Sequence, residues 1–390
     1  MEILMEEMKS WNNIWLIITL LLSSIILAIT SCGDNILSEY PTYDDNQPIT
    51  LPENVGYAMS TPYIGVVNLD TGEILAFYKT TIYEGEEVED FAVGPDGNLY
   101  VPIHASAQAE DDVYPKVRVI NPASGKVVTD IEVAYSPRFI SVLPGGKAVV
   151  EHNGIPFGET QFACSIINMN TNTLVNTLYF DAIALNALVS PNGKCYIHLA
   201  DAAEQLGGST LVEFNLETNT TVGNYITLEN SIGACEPIAL VTDSKLYGCG
   251  ALLEDQKIER NDRPHTLAIY DIPSGKLVKK IDVEKSPSSI QLIGEKAYLT
   301  HNDGTPKDER VKLISVIDIK SDEVKKTIEL PELPRGIAYS QATGYIYVTC
   351  TKGTICVIDP STDALIKTIK CGDIRARPDT WGFSTIEVTK

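Results

Sequence analysis

The sequence lacks the short motifs that mark many enzymes and metalloproteins. It has no Gly-x-Ser-x-Gly elbow, Walker loop, Rossmann glycine cluster or His-Glu-x-x-His helix. It also has no CxxC, CxxCH or Cys-His zinc pattern, which argues against attached haem, an iron–sulfur cluster and a structural zinc. We therefore expect no resident cofactor and no catalysis, although scattered residues can still assemble an active site.

Basic residues are scarce as well. The 390 residues include 30 Lys and Arg against 52 Asp and Glu, which gives a formal net charge of -22. Because so acidic a protein repels phosphate backbones, no nucleic-acid partner is expected. Two acidic runs, at 84–90 and 110–112, lack the spacing of a dedicated calcium loop and are interpreted as solvated charge.

Charge is absent from residues 10–32, and the apolar stretch there ends in Ile29-Thr30-Ser31-Cys32. This segment resembles a bacterial lipoprotein signal, which implies that residues 1–31 are removed and that Cys32 carries lipid. A start at Met8 would give the usual basic flank. The alternative is an uncleaved membrane anchor, since the stretch approaches the length of a spanning helix. Either way, we expect export and membrane anchoring in the cell envelope.

The remaining chain is predicted to contain a tether and one domain. Residues 32–55 are polar, contain proline and show no periodicity, as expected of a lipidated cysteine followed by a flexible tether. Residues 56–390 are large for a single core but ordinary when the core is divided among repeats. Gly33 after the cysteine, where some lipoproteins carry a retention Asp, favours the outer membrane or cell surface.

One five-residue pattern occurs seven times: Asn or Asp, two variable residues, Ser or Thr, then Gly, Asn or Asp. Its Asx side chain is expected to bond the backbone two residues on, and its fifth residue tolerates positive φ. The 41- to 56-residue spacing of the patterns predicts an all-β fold, a seven-bladed β-propeller. The patterns begin at Asn68, Asn121, Asn168, Asn215, Asp271, Asp318 and Asp359.

Each repeat is predicted to form a four-stranded antiparallel blade, most clearly at 335–340, 345–349, 354–359 and 364–369. Only two strands precede the first pattern, whereas one segment, 381–388, remains after the last blade. We therefore predict that this C-terminal strand completes blade one. That pairing closes the ring and removes its free edges.

The repeats resemble the YVTN or YncE-like propeller family across residues 56–390, although blades three and four are degenerate. The resemblance implies a fold rather than an activity, and family members include ligand-capturing surface lipoproteins and adhesion modules. It rests on Tyr347-Val348-Thr349-Cys350, Gly94-Pro95-Asp96-Gly97, Ser190-Pro191-Asn192-Gly193 and Ser315-Val316-Ile317-Asp318.

Function is expected on one face of the ring, here called the loop-rich face. It carries the connections from second to third strands and from each outer strand to the next inner strand. The connections at 105–116, 251–264 and 302–312 are 12, 14 and 11 residues long. Long loops on a rigid scaffold commonly carry binding residues.

All five histidines are predicted on that face: His104, His152, His198 and His301 at the ends of second strands, and His265 at the start of a third strand. They are interpreted either as structural caps of the strands or as a shared binding rim. One metal ion is disfavoured because second strands lie about 4.8 Å outside the inner ring, whereas metal–nitrogen bonds are about 2 Å.

Arg138, Arg335 and Arg377 stand at entries to inner strands, close to the central channel. Converging guanidinium groups would bind an anion. The alternative is that they bond loop carbonyls or neighbouring acids. Trp381 would add a stacking surface or pack between blades.

Seven cysteines follow Cys32, and an exported protein permits disulfides. Two pairs on the loop-rich face are predicted to approach, Cys235 with Cys249 and Cys350 with Cys371, but the sequence leaves the connectivity open. The cysteines expected to be buried as small apolar residues are Cys164, Cys195 and Cys356.

These features together predict a cell-envelope lipoprotein that binds a small-molecule or protein ligand through the loop-rich face, for example in nutrient capture for a transporter. The alternatives are a metal- or quinone-dependent periplasmic oxidoreductase, because propellers host such cofactors, and an adhesion or scaffold module.

Overall fold

The computed structural model describes residues 48–388 except 61, 106–113, 154–160, 201–207, 230–237, 243, 250–264, 286, 302–310 and 372–385. In these residues the protein contains only β-strands, which form seven antiparallel blades of a propeller ring. The predicted fold class is confirmed. This part of the chain contains no apolar helix of membrane-spanning length.

Blade one joins the two ends of the domain. Its first three strands along the chain are β1 (Val55–Ser60), β2 (Tyr63–Asn68) and β3 (Ile74–Lys79). The C-terminal strand β29 (Ile386–Val388) pairs antiparallel with β1, so that Gly56 lies opposite Val388. The predicted closure by the C-terminal strand is confirmed, while 381–385 lie outside the described residues.

Blades three to seven are regular four-stranded meanders that run from the inner to the outer strand. Their strands are β9 (Pro137–Leu143), β10 (Lys147–His152), β11 (Phe162–Asn168), β12 (Thr173–Phe180), β13 (Ile183–Val189), β14 (Cys195–Ala200), β15 (Ser209–Asn215), β16 (Thr220–Thr227), β17 (Ile238–Thr242), β18 (Lys245–Cys249), β19 (Thr266–Asp271), β20 (Lys276–Asp282), β21 (Pro287–Ile293), β22 (Lys296–His301), β23 (Leu313–Asp318), β24 (Glu323–Glu329), β25 (Pro334–Tyr339), β26 (Ile346–Cys350), β27 (Thr354–Asp359) and β28 (Ala364–Lys370).

Blade two departs from this pattern. Its inner strand is split into two short pieces that both pair with the second strand, and the chain between the pieces leaves the sheet. Asp90 lies in that excursion and accepts a hydrogen bond from the Ile140 backbone of blade three at 3.1 Å. The strands of blade two are β4 (Glu86–Glu87), β5 (Ala92–Val93), β6 (Leu99–Ala105), β7 (Lys116–Ile120) and β8 (Val127–Glu132).

Most inner strands also bulge where they enter the blade from the loop-rich face. In blade three, Pro137 pairs with His152 and Phe139 with Glu151, which leaves Arg138 as the extra residue. A bulge redirects the side chain of its extra residue. The bulged residues are Arg138, Leu185, Ser288 and the dipeptide at 335–336.

The seven predicted Asx turns are all present. The side-chain oxygen of the first residue accepts a backbone hydrogen bond from the third or fourth residue, for example at 2.9 Å in Asn68 and 2.8 Å in Asn215. The fifth residues share a left-handed backbone with φ between 51° and 85°. They are Gly72, Gly125, Asn172, Asn219, Gly275, Asp322 and Asp363.

Four of these fifth residues also bind the preceding blade, an arrangement we call the interblade clasp. Each clasp places a Tyr hydroxyl or Lys ammonium of a second strand on the side-chain oxygen of the next blade's Asn or Asp. The clasps join Tyr100 to Asn172 at 2.6 Å, Lys147 to Asn219 at 2.5 Å, Lys245 and Tyr247 to Asp322, and Lys296 and Tyr298 to Asp363.

The core is divided among the interfaces between neighbouring blades. Leu188 and Tyr196 of blade four, for example, pack with Leu246 and Ala268 of blade five. Second and third strands are covered on both faces and so are nearly continuous apolar runs. Each buried Å² of apolar surface contributes about 25 cal/mol. The distributed core accommodates a chain of this length in one ring.

The segment before β1 also contacts the propeller. The Ile49 amide donates a hydrogen bond to the Ala123 carbonyl at 2.7 Å, and the Ile49 and Leu51 side chains pack against buried residues of blades one and two. Contacts with the ring therefore begin upstream of residue 56, where the sequence predicts the domain to start.

Candidate functional site

The structure brings two of the predicted site residues together on the loop-rich face of blades two and three. His104 is the penultimate residue of β6, and Arg138 occupies the bulge of β9. Arg138 is near enough to influence the protonation of His104. Arg335 lies in the corresponding bulge of β25. Cys32, Arg377 and Trp381 lie outside the described residues.

His104 contacts an acid of β4, and Arg138 contacts an acid of the excursion of blade two. Arg138 forms an ion pair with Glu89, and both side chains are 29 percent exposed. The His104 Nε2 atom lies 3.2 Å from Glu87 Oε2. Arg138 thus pairs with a neighbouring acid, one of the two arrangements considered for the inner-strand arginines. Its Nε atom is buried and has no hydrogen-bond partner among the described residues.

Burial controls the protonation of this cluster. It lowers the pKa of His104, with help from the positive charge of Arg138, and Glu87 opposes this only in part. Burial also raises the pKa of the Glu89 carboxyl and outweighs the attraction of Arg138. The cluster therefore holds a neutral imidazole beside an ion pair that is only partly hydrated.

His152 and His301 are locked in the same way in blades three and six. The His152 Nδ1 atom donates to the Tyr135 carbonyl and Nε2 contacts the Ser165 hydroxyl, both at 2.9 Å. His301 repeats these contacts with the Lys285 carbonyl and the Ser315 hydroxyl at the same distances. Burial lowers the pKa of both histidines, to about 4 for His152. Both imidazoles are thus bonded within their own blades.

The other two histidines lie apart from the His104 cluster. His198 is fully buried in β14 opposite Leu211, and burial lowers its pKa to about 4. His265 immediately precedes β19, and its carbonyl accepts a hydrogen bond from Val283. In the part of the chain that the structure describes, no three or more His, Cys, Asp or Glu side chains are grouped to hold a metal ion.

The expectation that the acidic run at 84–90 is solvated is wrong for Glu86. Its carboxylate is fully buried and lies 2.7 Å from Lys116 Nζ and 2.8 Å from Arg118 Nη1. Arg118 also pairs with Asp130 at 3.0 Å. Burial would raise the pKa of Glu86, but hydrogen bonds from Arg118 and Lys116 outweigh it and hold that pKa below its usual value.

The local sequence pattern does not predict this buried network. In β7, Lys116 and Arg118 alternate with valines, a pattern typical of a strand with one wet face. That face is instead covered by the chain that enters blade two, which supplies Glu86 and Tyr83. Only the pairing of β4 with β6, which no local pattern encodes, brings the charges together.

The network contacts two exposed aromatic side chains, Tyr83 and Tyr114, which we call the tyrosine surface. These residues are 54 and 46 percent exposed. Lys116 Nζ lies 5.3 Å from the ring centroid of Tyr83 and 4.2 Å from that of Tyr114. The buried ammonium group therefore supports both rings through cation–π contacts.

A cavity of about 970 Å³ opens among the inner strands of blades two, three and four. Its wall is formed by apolar side chains such as Ile140, Val142 and Val189, together with the Gly- and Pro-containing inner turns. Among the described residues that line it, none is titratable.

Comparison with known proteins supports the fold. No family model matches the chain, and no curated protein is similar to it in sequence. The chain is similar in structure to a functionally unknown protein from Desulfotomaculum acetoxidans DSM 771, with a TM-score of 0.56 and 14% identity, over 86% of this chain and 99% of that one.

Two further structural neighbours carry functional names. The dihydro-heme d1 dehydrogenase NirN, solved in complex with DHE, has a TM-score of 0.52 and 12% identity, over 86% of this chain and 77% of that one. Hydrazine synthase from Kuenenia stuttgartiensis has a TM-score of 0.52 and 15% identity, over 75% of this chain and 88% of that one. At such identities the likeness establishes the propeller fold alone.

Proposed function

We propose that this protein is a non-catalytic binding module of the cell envelope, which takes a small-molecule or protein ligand on its loop-rich face. The tyrosine surface beside the Arg138–Glu89 pair is the observation that carries the proposal. Exposed tyrosines provide large contact areas at a low cost in side-chain entropy, and they are enriched at interfaces.

The surroundings of the tyrosine surface favour a preformed site. Lys116 and Glu86 fix the chain beneath Tyr83, and hydrogen bonds from the Ile82 and Tyr83 amides to Glu86 at 2.6 and 3.3 Å hold its backbone. The guanidinium group of Arg138, whose side chain is 29 percent exposed, adds a charged group at the edge of the same region. Rigid aromatic groups beside a charged group suit ligand recognition, because little freedom is lost on binding.

Photo-crosslinking in the producing cells tests this assignment. A benzophenone amino acid at Tyr83 or Tyr114 should give a discrete crosslinked species, whereas the same group at Tyr225 should not. Tyr225 is a matched control, because it is 57 percent exposed but lies on the outer strand β16. A small ligand would instead appear as a bound mass in native mass spectrometry that the Tyr83→Ser, Tyr114→Ser double variant loses. Finding neither signal would overturn the proposal.

The envelope assignment rests on the N-terminal sequence and forms part of the same proposal. Lipidation at Cys32, removal of residues 1–31 and kinship with YVTN or YncE-like propellers would place the ring on a lipid anchor at the outer membrane or cell surface. Metabolic labelling with an alkyne fatty acid should label the wild-type chain and not Cys32→Ala. A labelled Cys32→Ala chain, or an unprocessed wild-type chain, would contradict the lipoprotein assignment.

The alternative of a metal- or quinone-dependent oxidoreductase draws on the names of two structural neighbours, a heme d1 dehydrogenase and hydrazine synthase. Elemental analysis and absorbance spectra of protein purified from its own host separate the two functions. One equivalent of copper, iron or quinone per chain would favour the enzyme. An adhesion or scaffold role would instead yield crosslinks to protein alone.

A further inference from the structure

Blade seven places two thiols at positions where two other blades hold a hydrogen-bonded pair. In blades three and six, the last residue of the second strand is a histidine whose Nε2 atom contacts a serine of the third strand at 2.9 Å. In blade seven the equivalent residues are Cys350 and Cys356, and their sulfurs lie 3.7 Å apart. Like His152 and His301, Cys350 pairs with a proline, Pro334, of the inner strand.

The strand register explains the approach. Cys350 lies opposite Thr354, and Cys356 lies two residues further along β27, opposite Val348. Side chains two residues apart on a strand point to the same face, so the two cysteines form a diagonal pair across the strands. A three-residue turn joins β26 to β27, with Lys352 and Gly353 both at positive φ.

Cys371, the predicted partner of Cys350, lies on the other face of the blade. It packs with Ile355, Val357 and Ile369, whereas Cys350 and Cys356 pack with Val348 and Ile358. The expectation that Cys350 approaches Cys371 is therefore wrong, because the two side chains point into different interblade cores.

We propose that Cys350 and Cys356 form a disulfide within blade seven when the protein meets a disulfide oxidant such as oxidised glutathione. Cys350, at 7 percent exposure the less buried of the two, forms a mixed disulfide with one glutathione. The Cys356 sulfur then attacks Cys350 Sγ and releases that glutathione. One S–S bond breaks and one forms, and the two thiol protons end on two reduced glutathione molecules.

The placement of the pair favours the second step. The Cys350 thiol donates to the Cys356 sulfur before oxidation, so the two sulfurs already lie in contact. In the mixed disulfide this proton is gone, and the hydrogen bond from Thr368 remains to lower the pKa of Cys356 against the effect of burial. The thiolate is the attacking species in thiol–disulfide exchange. Closing the bond requires the sulfurs to move from 3.7 Å to about 2.05 Å, which rotation of the two side chains and the hairpin turn can supply.

Trypsin provides a direct test, because Lys352 lies between the two cysteines. The folded protein is incubated with oxidised glutathione, blocked with N-ethylmaleimide in denaturant and digested at mildly acidic pH. Peptides 336–352 and 353–367 should appear as one linked mass that separates on reduction. Each contains a single cysteine, so the link identifies the pair.

Two other outcomes would overturn the proposal. One is full N-ethylmaleimide labelling of both cysteines, and the other is a link between 336–352 and the Cys371 peptide 371–375. Cys371→Ser should leave the predicted link unchanged, and Cys356→Ser should abolish it and trap Cys350 as a glutathione adduct. The wild-type digest decides the matter even if Cys356→Ser fails to fold, and neither result depends on what the loop-rich face binds.

Discussion

Two regions of this propeller join polar side chains in contrasting ways. The interblade clasps use short, repeated contacts, each with one Asn or Asp of an Asx turn and one or two groups of the preceding blade. The entrance to blade two uses a single network, in which Glu86 joins Lys116 and Arg118 beneath the tyrosine surface. The clasps recur around the ring, whereas the Glu86 network occurs once in the described residues.

The clasps belong to the repeated architecture of the ring, whereas the Glu86 network is specific to the entrance of blade two. Clasp residues such as Asp363 remain partly exposed, so if one were lost, water could solvate its former partners. Glu86 and Lys116 are fully buried, so if either were lost, water could not reach the remaining charge. The repeated contacts serve the fold. A single buried network at an irregular strand indicates a local role, and here that role is to fix the positions of Tyr83 and Tyr114.

Removing the Glu86 carboxylate should have the largest effect. Glu86→Gln leaves Lys116 and Arg118 with an uncompensated buried charge, so the free energy of unfolding should fall by about 3–5 kcal/mol. Urea denaturation at pH 7 measures the loss, and Glu84→Gln, an exposed change in the same loop, should cost less than about 0.5 kcal/mol. Equal effects of the two variants would contradict a buried network.

The same variant has a predictable pH dependence. Because the folded pKa of Glu86 is lowered, its contribution is present at neutral pH and is lost as the pH falls through that lowered value. The gap in stability between wild type and Glu86→Gln should therefore narrow in acid. A gap that widens would show that the carboxyl is protonated in the folded protein at neutral pH.

His152 should give the next largest effect. Its pKa falls from 6.5 to about 4 on folding, so its contribution to stability is complete above pH 6.5 and is lost as the pH falls towards 4. At about 1.4 kcal/mol per pKa unit, this amounts to a few kcal/mol. His152→Gln should be less stable than wild type at pH 7 but should lose less stability between pH 7 and pH 4.5. Parallel pH profiles would show that His152 is not buried as a neutral base.

Alanine substitution at two left-handed glycines should distinguish the cost of backbone strain from the cost of steric overlap. Gly275 and Gly145 have φ of 68° and 78°, but a Cβ on Gly275 would overlap the Thr227 carbonyl, whereas one on Gly145 meets nothing within 4 Å. Gly145→Ala should cost about 1 kcal/mol for the conformation alone. Gly275→Ala should cost about 1–3 kcal/mol more, because backbone must move. Equal urea midpoints for the two variants would show that the Thr227 backbone of blade four can move to accommodate the added Cβ.

Particular residues show which parts of this architecture the sequence can predict. The Asx turns were predictable because all their interactions lie within five residues, and Asn68 and Asp318 meet the same backbone geometry in different blades. Closure by β29 was predictable from an unpaired strand at each end of the domain. The role of Glu86 was not, because its partners come from β7, about thirty residues away, and solvated acidic loops have the same composition.

The candidate site was predictable only in outline. Arg138 was placed correctly at an inner-strand entry, but its partner Glu89 belongs to an excursion that replaces an ordinary inner strand. Tyr83 and Tyr114 lie in connections without a repeat, and their spacing in the sequence does not indicate that both contact one ammonium group. The repeated patterns predict the scaffold, whereas the candidate site lies in segments that do not follow the repeat.

Removing the clasp at Asp363 should have the smallest effect on stability. Lys296 Nζ and Tyr298 Oη lie 2.7 and 2.5 Å from its carboxylate. Asp363→Gly keeps the left-handed turn but removes both contacts, so it should cost about 1–2 kcal/mol, discounted for partial exposure. Asp363→Asn should cost less, since Asn219 and Asn172 already serve as amide acceptors in their clasps. If Asp363→Gly lost as much stability as Glu86→Gln in urea, the clasps would not be locally replaceable contacts, and the contrast between the two regions would fail.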